Sequence, residues 1–356
     1  MCRWFAYISP SEPCLLEDVL VNAAHSLSKQ VHEHYLPELF SRPSNGQDEK
    51  ASREDILGKN TSFNIDGLGV VWYTSTRHEF VDLSIDSLYP IQYKTLLHPM
   101  SDANFLSLCA NTSSLTCFGH IRAATSVSGV PTLSETNCHP FCKGKFSIMH
   151  NGTIAHFKAI RREIMALLGE EEAAWIQGNT DSETLAALFY TYLGEETGKG
   201  GKAVHEHVHD VEVLKKVLTR TIVDVIRIQK RVMEQKNEPV EPSTINLAIS
   251  DGKVLLCCRF RNHPTDHPPS LYYSTTAGKT LNRKFPGHPD GEDEIFVDHF
   301  TGKTHGEQCE RDHGTHVIVA SEPTTYKLEE WTLVEKNSFL IVDSEGNVTM
   351  ESIVGN

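Results

Sequence analysis

Short β-type runs occupy both ends of this chain, and a block of helix-periodic sequence separates them. Arg3 to Ser9, Gly67 to Thr74, Leu115 to Ile121 and Lys145 to His150 each read as a strand. Leu16 to Ala24 has a helical pattern between the first two. Ala155 to Leu168 then repeats apolar residues at Ile160, Ile164, Leu167 and Leu168. Ser182 to Leu193 is a second helix, opened by the capping box Thr180-Asp181-Ser182-Glu183 and closed by Gly194. Val211 to Gln235 is a long amphipathic helix with Leu214, Leu218, Ile222, Val225, Ile226 and Val232 on its apolar side. Strands return at Ile245–Ser250, Lys253–Arg259, Leu271–Ser274, His316–Ser321, Ser338–Val342 and Val348–Ser352. Strands, helices, then strands predict a layered α+β domain with two antiparallel sheets and helices outside. No linker interrupts the series, so residues 1–356 are expected to form a single domain. Ser41 to Thr61 is polar and expected to be a mobile insertion, and Gly198 to Asp210 is expected to be a loop.

Charge and cysteine usage narrow the partners. The 33 basic and 47 acidic residues leave a net charge of −14, which argues against nucleic acid or an anionic membrane. No run approaches the roughly 18 apolar residues that cross a bilayer, and no secretory leader is read at the start. The nine cysteines contain no paired CxxC pattern, so a reducing, cytoplasmic location is expected. His205-Glu206-His207-Val208-His209-Asp210 and the stretch from His299 to His316 invite a metal reading. Alternating histidines in a glycine-flanked loop do not share one helix face as those of HExxH do, so no metal and no cofactor are expected.

The chemistry begins at Cys2, in Met1-Cys2-Arg3-Trp4-Phe5. Removal of Met1 would leave the thiol and the free α-amine on one residue. A thiol of pKa ~8.5 and an α-amine of ~7.7–8.0 are matched closely enough that proton transfer between them costs only about 1 kcal/mol. No separate histidine is then needed to activate the sulfur. The alternative is a buried core cysteine.

Four further segments suit acyl transfer from an amide. In Gly119-His120-Ile121-Arg122-Ala123-Ala124-Thr125, Arg122 can grip a carboxylate with two hydrogen bonds, or it is a surface arginine. In Met149-His150-Asn151-Gly152-Thr153, the Asn151 side-chain amide and the Gly152 N–H can hold an oxyanion. Asn-Gly is equally the favoured pair of a type I′ hairpin turn. In Gly178-Asn179-Thr180-Asp181-Ser182-Glu183, Asp181 can pair with an ammonium, or it merely starts a helix. Asn137-Cys138-His139-Pro140-Phe141 reads as a loop, a wall of the site. His120, His139 and His150 are expected to support the site rather than act as bases.

Taken together, these motifs resemble the class II, N-terminal nucleophile, glutamine amidotransferases. The matches are Met1-Cys2, Asp66-Gly67-Leu68-Gly69, His120-x-Arg122-x-Ala124-Thr125, Asn137-x-His139-Pro140, His150-Asn151-Gly152, Thr180-Asp181-Ser182-Glu183 and the late Ala320-Ser321-Glu322-Pro323. The resemblance implies a four-layer αββα sandwich. It implies Cys2 as nucleophile with its own amine as base, and Asn151 with Gly152 as oxyanion hole. Arg122 would bind the glutamyl α-carboxylate and Asp181 its α-amine, with Thr125 also among the substrate-binding residues. Many members have tryptophan after the arginine, where this chain has Ala123.

No attached synthetase domain is visible, so a separate partner is expected. The chain is most similar to the stand-alone amidotransferase subunits of fungal glutathione degradation. That implies a metallopeptidase-like partner subunit and cleavage of the γ-glutamyl-cysteine bond of glutathione through a glutamyl-thioester. The small-molecule substrate would be glutamine or glutathione. Two other readings stay open: a glutaminase subunit delivering ammonia to a separate synthase, and a non-catalytic scaffold.

Overall fold

The computed structural model describes residues 2–31, 41–44, 47–50, 66–81, 87–123, 133–199, 202–285, 313–325 and 327–353. The strands of the two main sheets are, in chain order, β1 (Arg3–Ile8), β2 (Leu68–Thr74), β3 (Tyr89–Thr95), β4 (Thr116–Ile121), β5 (Phe141–Lys143), β6 (Phe146–Thr153) and β7 (Thr244–Ser250). They continue with β8 (Leu255–Arg261), β9 (Tyr272–Ser274), β10 (Val317–Ala320), β11 (Thr332–Leu333), β12 (Ser338–Val342) and β13 (Val348–Ser352). The helices are α1 (Ala103–Ala110), α2 (Phe157–Met165), α3 (Glu170–Trp175), α4 (Asp181–Thr197) and α5 (Val211–Lys236). The first sheet runs β11-β9-β10-β1-β4-β2-β3 and the second β13-β12-β8-β7-β6-β5. All of these pairings are antiparallel.

The period-2 alternation of a strand explains the layers. Along β1, Trp4, Ala6 and Ile8 point between the sheets, where they meet Phe118, Met149, Ala248, Cys257, Val319 and Leu340. Phe5 and Tyr7 point the other way, onto Val19 and Leu20 and onto Phe105 and Cys109 of α1. The outer face of the second sheet (Ile148, Leu247, Leu256, Ile341) packs against α2, α4 and α5 through Ile160, Leu188, Leu218 and Val225. A strand covered on both faces has no polar side, which is why β1, β7 and β8 are mostly apolar, with Asn246 and Arg259 as buried polar exceptions. Full burial of each large apolar side chain stabilises by about 1.5–3 kcal/mol. The result is the α+β sandwich expected from the order of elements, helices outside and two sheets within.

Several boundaries differ from expectation for local reasons. α4 passes through Gly194 and stops at Gly198, which adopts the left-handed conformation with φ 63°. A helical glycine costs about 1 kcal/mol but does not end a helix whose apolar face is still being buried. Of Leu16–Ala24, residues 16–22 are helical, with Asp18–Asn22 in π-type geometry. β6 runs three residues past His150, so Asn151 and Gly152 pair with Asn246 and Ile245 in the ladder to β7. Neither has positive φ, as a type I′ turn would require, and the hairpin reading fails. Within 198–210, Lys202–His205 is a helical turn. His205 and His209 are buried there, so this stretch is not simply a solvated loop. The strand β3 and helix α1 were not anticipated. Of the expected insertion, only the paired strands Ser41–Ser44 and Gln47–Lys50 are described; the rest of 41–61 lies outside the described residues.

Candidate active site

Cys2 is placed by its neighbours in the sheet. β1 pairs with β4 so that Arg3 faces Ile121, which sets Cys2 beside the residues that follow β4. The Ala123 N–H donates to Cys2 Sγ at 3.4 Å, and the Ala123 carbonyl lies 3.5 Å from the same sulfur. On the other side of β1, Trp4 N donates to Ser321 Oγ at 3.0 Å and Ser321 N donates to the Trp4 carbonyl at 2.9 Å. The Ala320-Ser321-Glu322 segment therefore braces the start of β1.

Burial pushes the Cys2 thiol above its usual range. The Ala123 N–H and the Arg122 charge pull it down, and the Asp181 charge pushes it up. Arg122 and Asp181 are thus near enough to act on the sulfur, although they stand in segments far apart in sequence. Arg122 is 8 % exposed, and its backbone is fixed by Arg122 N donating to the Gly67 carbonyl at 2.8 Å.

Asp181 opens α4. Its Oδ2 accepts from Ile154 N at 2.9 Å, just past β6, and its Oδ1 accepts from Ser182 N at 2.8 Å. This ties the aspartate to the strand that carries Asn151 and Gly152. Asn151 is 2 % exposed, and its Oδ1 has no hydrogen-bond partner among the described residues. A buried amide oxygen without a partner is able to accept a hydrogen bond from a ligand. Gly152 lies against the Thr244 carbonyl, where a Cβ would collide.

The loop leading into α4 is pinned from two sides. Asn137 Oδ1 accepts from Asn179 N at 3.1 Å. The Glu183 carboxylate accepts from Gln177 N at 2.9 Å and Gly178 N at 2.7 Å. The expected capping box is therefore half formed. Thr180 Oγ1 accepts from Glu183 N at 3.1 Å, but Glu183 reaches further back to order the loop instead of closing the box.

The three expected supporting histidines form one buried cluster. His139 Nδ1 and His120 Nε2 are 2.7 Å apart, and His120 Nε2 is 3.2 Å from the His150 carbonyl. His150 Nδ1 is 2.8 Å from Ser182 Oγ, which in turn donates to Asp181 Oδ1 at 3.2 Å. Burial pushes His120 down to about 3 and holds His139 and His150 below the usual imidazole range. Rings held neutral so firmly are poor proton acceptors at neutral pH, so they shape the site.

Most of the expected site residues thus converge: Cys2, Arg122, Asn151, Gly152, Asp181, His120, His139 and His150. Thr125 lies outside the described residues. Ser182 was not singled out for a role, yet it links His150 to Asp181. Lys94 was also missed; burial lowers its pKa, and its charge acts on His139, His120 and Cys138. Lys94 lies on β3, whose Tyr-Pro-Ile-Gln-Tyr-Lys-Thr sequence hides the strand behind a proline.

Gly69 of β2 faces the His139 carbonyl, and a Cβ there would fall onto it. Backbone cannot swing away as a side chain can. Gly69→Ala is expected to destabilise the protein by about 1–3 kcal/mol, or more if the His139 turn is expelled. Chemical denaturation against the parent protein measures this; an unchanged midpoint would mean that β2 and the His139 turn are not in contact.

No family model matches the chain. It is similar to the "Probable glutamine amidotransferase DUG3" of Saccharomyces cerevisiae, 31% identical over 345 residues, 97% of this chain and 82% of that protein. It is 40% identical over 80 residues to the isomerizing glutamine–fructose-6-phosphate aminotransferase of Gluconobacter oxydans, which covers 22% of this chain and 12% of that one. Among solved structures, a glutamine aminotransferase class-II domain protein from Silicibacter pomeroyi superimposes with a TM-score of 0.55 at 19% identity, covering 99% of this chain and 100% of that one. That identity speaks for the fold alone. With one relative 31% identical over 97% of this chain, the chain belongs to the glutamine amidotransferases, and its fold is that of a class-II amidotransferase domain.

Proposed function

We propose that this enzyme hydrolyses a γ-glutamyl amide through a glutamyl-thioester on Cys2, and that its substrate is glutathione, cut together with a metallopeptidase-like partner subunit. The observation that carries the chemistry is the Cys2 thiol set against the Ala123 backbone, within reach of the opposite charges of Arg122 and Asp181. An amino-acid head group offers the complementary pair: its α-carboxylate toward Arg122 and Thr125, its α-amine toward Asp181. The γ-carbonyl of a glutamyl chain then falls toward the sulfur.

The resting thiol is neutral, because burial outweighs the charges that would ionise it. After removal of Met1, the Cys2 α-amine takes the thiol proton as sulfur bonds to the γ-carbonyl carbon. The oxyanion is held by the Asn151 side-chain amide and the Gly152 N–H; losing one such donor typically costs ~10²–10³ in rate. Collapse breaks the C–N bond, and the proton passes from the α-amine to the leaving nitrogen. Water, activated by the same amine, splits the thioester and releases glutamate.

The preference for glutathione rests on the resemblance of the sequence motifs to the amidotransferase subunits of fungal glutathione degradation, while the yeast relative, matched over 97% of this chain, supports a glutamine-type substrate. The test is product analysis on the chain purified with its metallopeptidase-like partner. Glutamate released from glutathione, with the cysteinyl dipeptide left over, is the expected result. Turnover of glutamine with glutathione intact would instead favour ammonia donation to a synthase. No turnover of either, in folded protein with Met1 removed, would favour a scaffold.

A further inference from the structure

At the opposite end of β1 from Cys2, two imidazoles converge on a buried carboxylate. Glu12 is 7 % exposed, and His313 and His316 approach it from the segment that leads into β10. One donor atom from each of Glu12, His313 and His316 lies within 4.8 Å of the other two. His313 Nδ1 is 3.2 Å from Glu12 Oε2. Ligands about 2.0–2.1 Å from a tetrahedral ion stand roughly 3.3 Å apart, so this spacing suits two ligands of one ion as well as it suits an ion pair.

Two independent features favour the ion. His316 is 2 % exposed, and its Nε2 has no hydrogen-bond partner among the described residues. Its Nδ1 faces the Gly314 carbonyl at 3.2 Å. An N–H on Nδ1 donating to that carbonyl leaves a lone pair on Nε2 that can take a ligand. The surroundings are also ordered as an outer shell would be. Asn282 Nδ2 donates to Glu12 Oε1 at 3.0 Å and Gly314 N to Glu12 Oε2 at 2.7 Å. The Phe285 ring stacks on His313 with centroids 3.5 Å apart, and Tyr7 stacks on His316 at 6.1 Å.

We propose that Glu12, His313 and His316 bind one divalent ion of the zinc class, which clamps the end of β1 to the start of β10. Two imidazoles and one carboxylate suit zinc and disfavour magnesium or calcium, which take oxygen ligands. Three protein ligands leave one tetrahedral position for water. β1 and β10 pair with Ile8 opposite Val317, so the ion would fix the register of the strand that begins beside the nucleophile. No metal is expected from the His299–His316 stretch by itself, whose histidines share no helix face. The carboxylate comes from 301 residues away along the chain, beyond any spacing rule.

The test uses the full chain without an affinity tag, loaded with zinc, dialysed, and assayed for metal by mass spectrometry. One equivalent per chain is expected for the parent and none for a Glu12→Gln, His313→Gln variant. The thermal midpoint of the parent should rise by about 5 °C at a hundredfold excess of free zinc over Kd, with no rise in the variant. Equal retention by both proteins would assign the metal to other histidines and overturn the proposal, as would no retention by either. Cobalt added to the parent gives a measurement that does not depend on the variant folding. An intense visible band of a tetrahedral ion is expected, and its absence overturns the proposal.

Discussion

Cys2→Ala should abolish amide hydrolysis, by at least ~10⁴-fold, while leaving the fold and the far end of β1 intact. Loss of a nucleophile alone does not identify the base, so a second change is informative. A short N-terminal extension that cannot be removed leaves the Cys2 thiol in place but converts its amine to an amide, which cannot accept a proton. That protein should lose about 10²–10⁴-fold, the usual worth of a general base. Intact mass after treatment with an electrophilic glutamine analogue then separates the two effects. The parent should gain one adduct on Cys2, the alanine variant none, and the extended protein an adduct formed far more slowly. If the extended protein turned over at the parental rate, some group other than the amine would be the base, and the neutral histidines nearby would return to consideration.

Stability should fall steeply below pH 6.5. His120 titrates near 3 in the folded protein, and His139 well below its usual range, because both are buried. Their folded pKa values are depressed, so the unfolded chain binds protons first as the pH drops. Their stabilisation is fully present above about 6.5 and is lost progressively as the pH falls toward about 3. Each pKa unit is worth 1.36 kcal/mol, so at pH 5 His120 alone should cost about 2 kcal/mol relative to pH 7, and His139 adds in the same direction. His25, pushed down to about 3 by burial, and His205, pushed down to about 4 for the same cause, act in the same direction. Urea unfolding at a series of pH values measures the slope. His120→Gln should reduce it by close to one proton. A flat profile between pH 6.5 and 4.5 would mean that these rings are solvated or already charged.

Much of the fold was legible because strands covered on both faces read as dense apolar runs, and α5 carries a clean helical stripe. The site was legible for a different reason: its chemistry is confined to short motifs, each of which a strand end or a helix start presents. What stayed hidden depends on contacts distant in sequence. Asn151-Gly152 looks like a hairpin until β7 is placed alongside it, and only the ladder to Asn246 and Ile245 settles its backbone. Glu183 looks like half of a capping box until the Gln177-Gly178 loop is seen to need its carboxylate. The strand β3 is masked by Pro90, which sits at the rim of the sheet, where a lost backbone donor is tolerated. Of the cluster at Glu12, the sequence shows the His313 and His316 stretch but not the carboxylate, which comes from the opposite end of the polypeptide.

The brace on β1 has a consequence for how the enzyme comes to life. Trp4 and Ser321 exchange backbone and side-chain hydrogen bonds across 317 positions of the chain. During translation, the segment bearing the sulfur emerges at once, but the strand that completes its housing is made near the end. Until then the start of β1 is held on one side only, by β4. Competence therefore arrives as one late event, after nearly all of the polypeptide has left the ribosome, and any product ending before that strand would be inert.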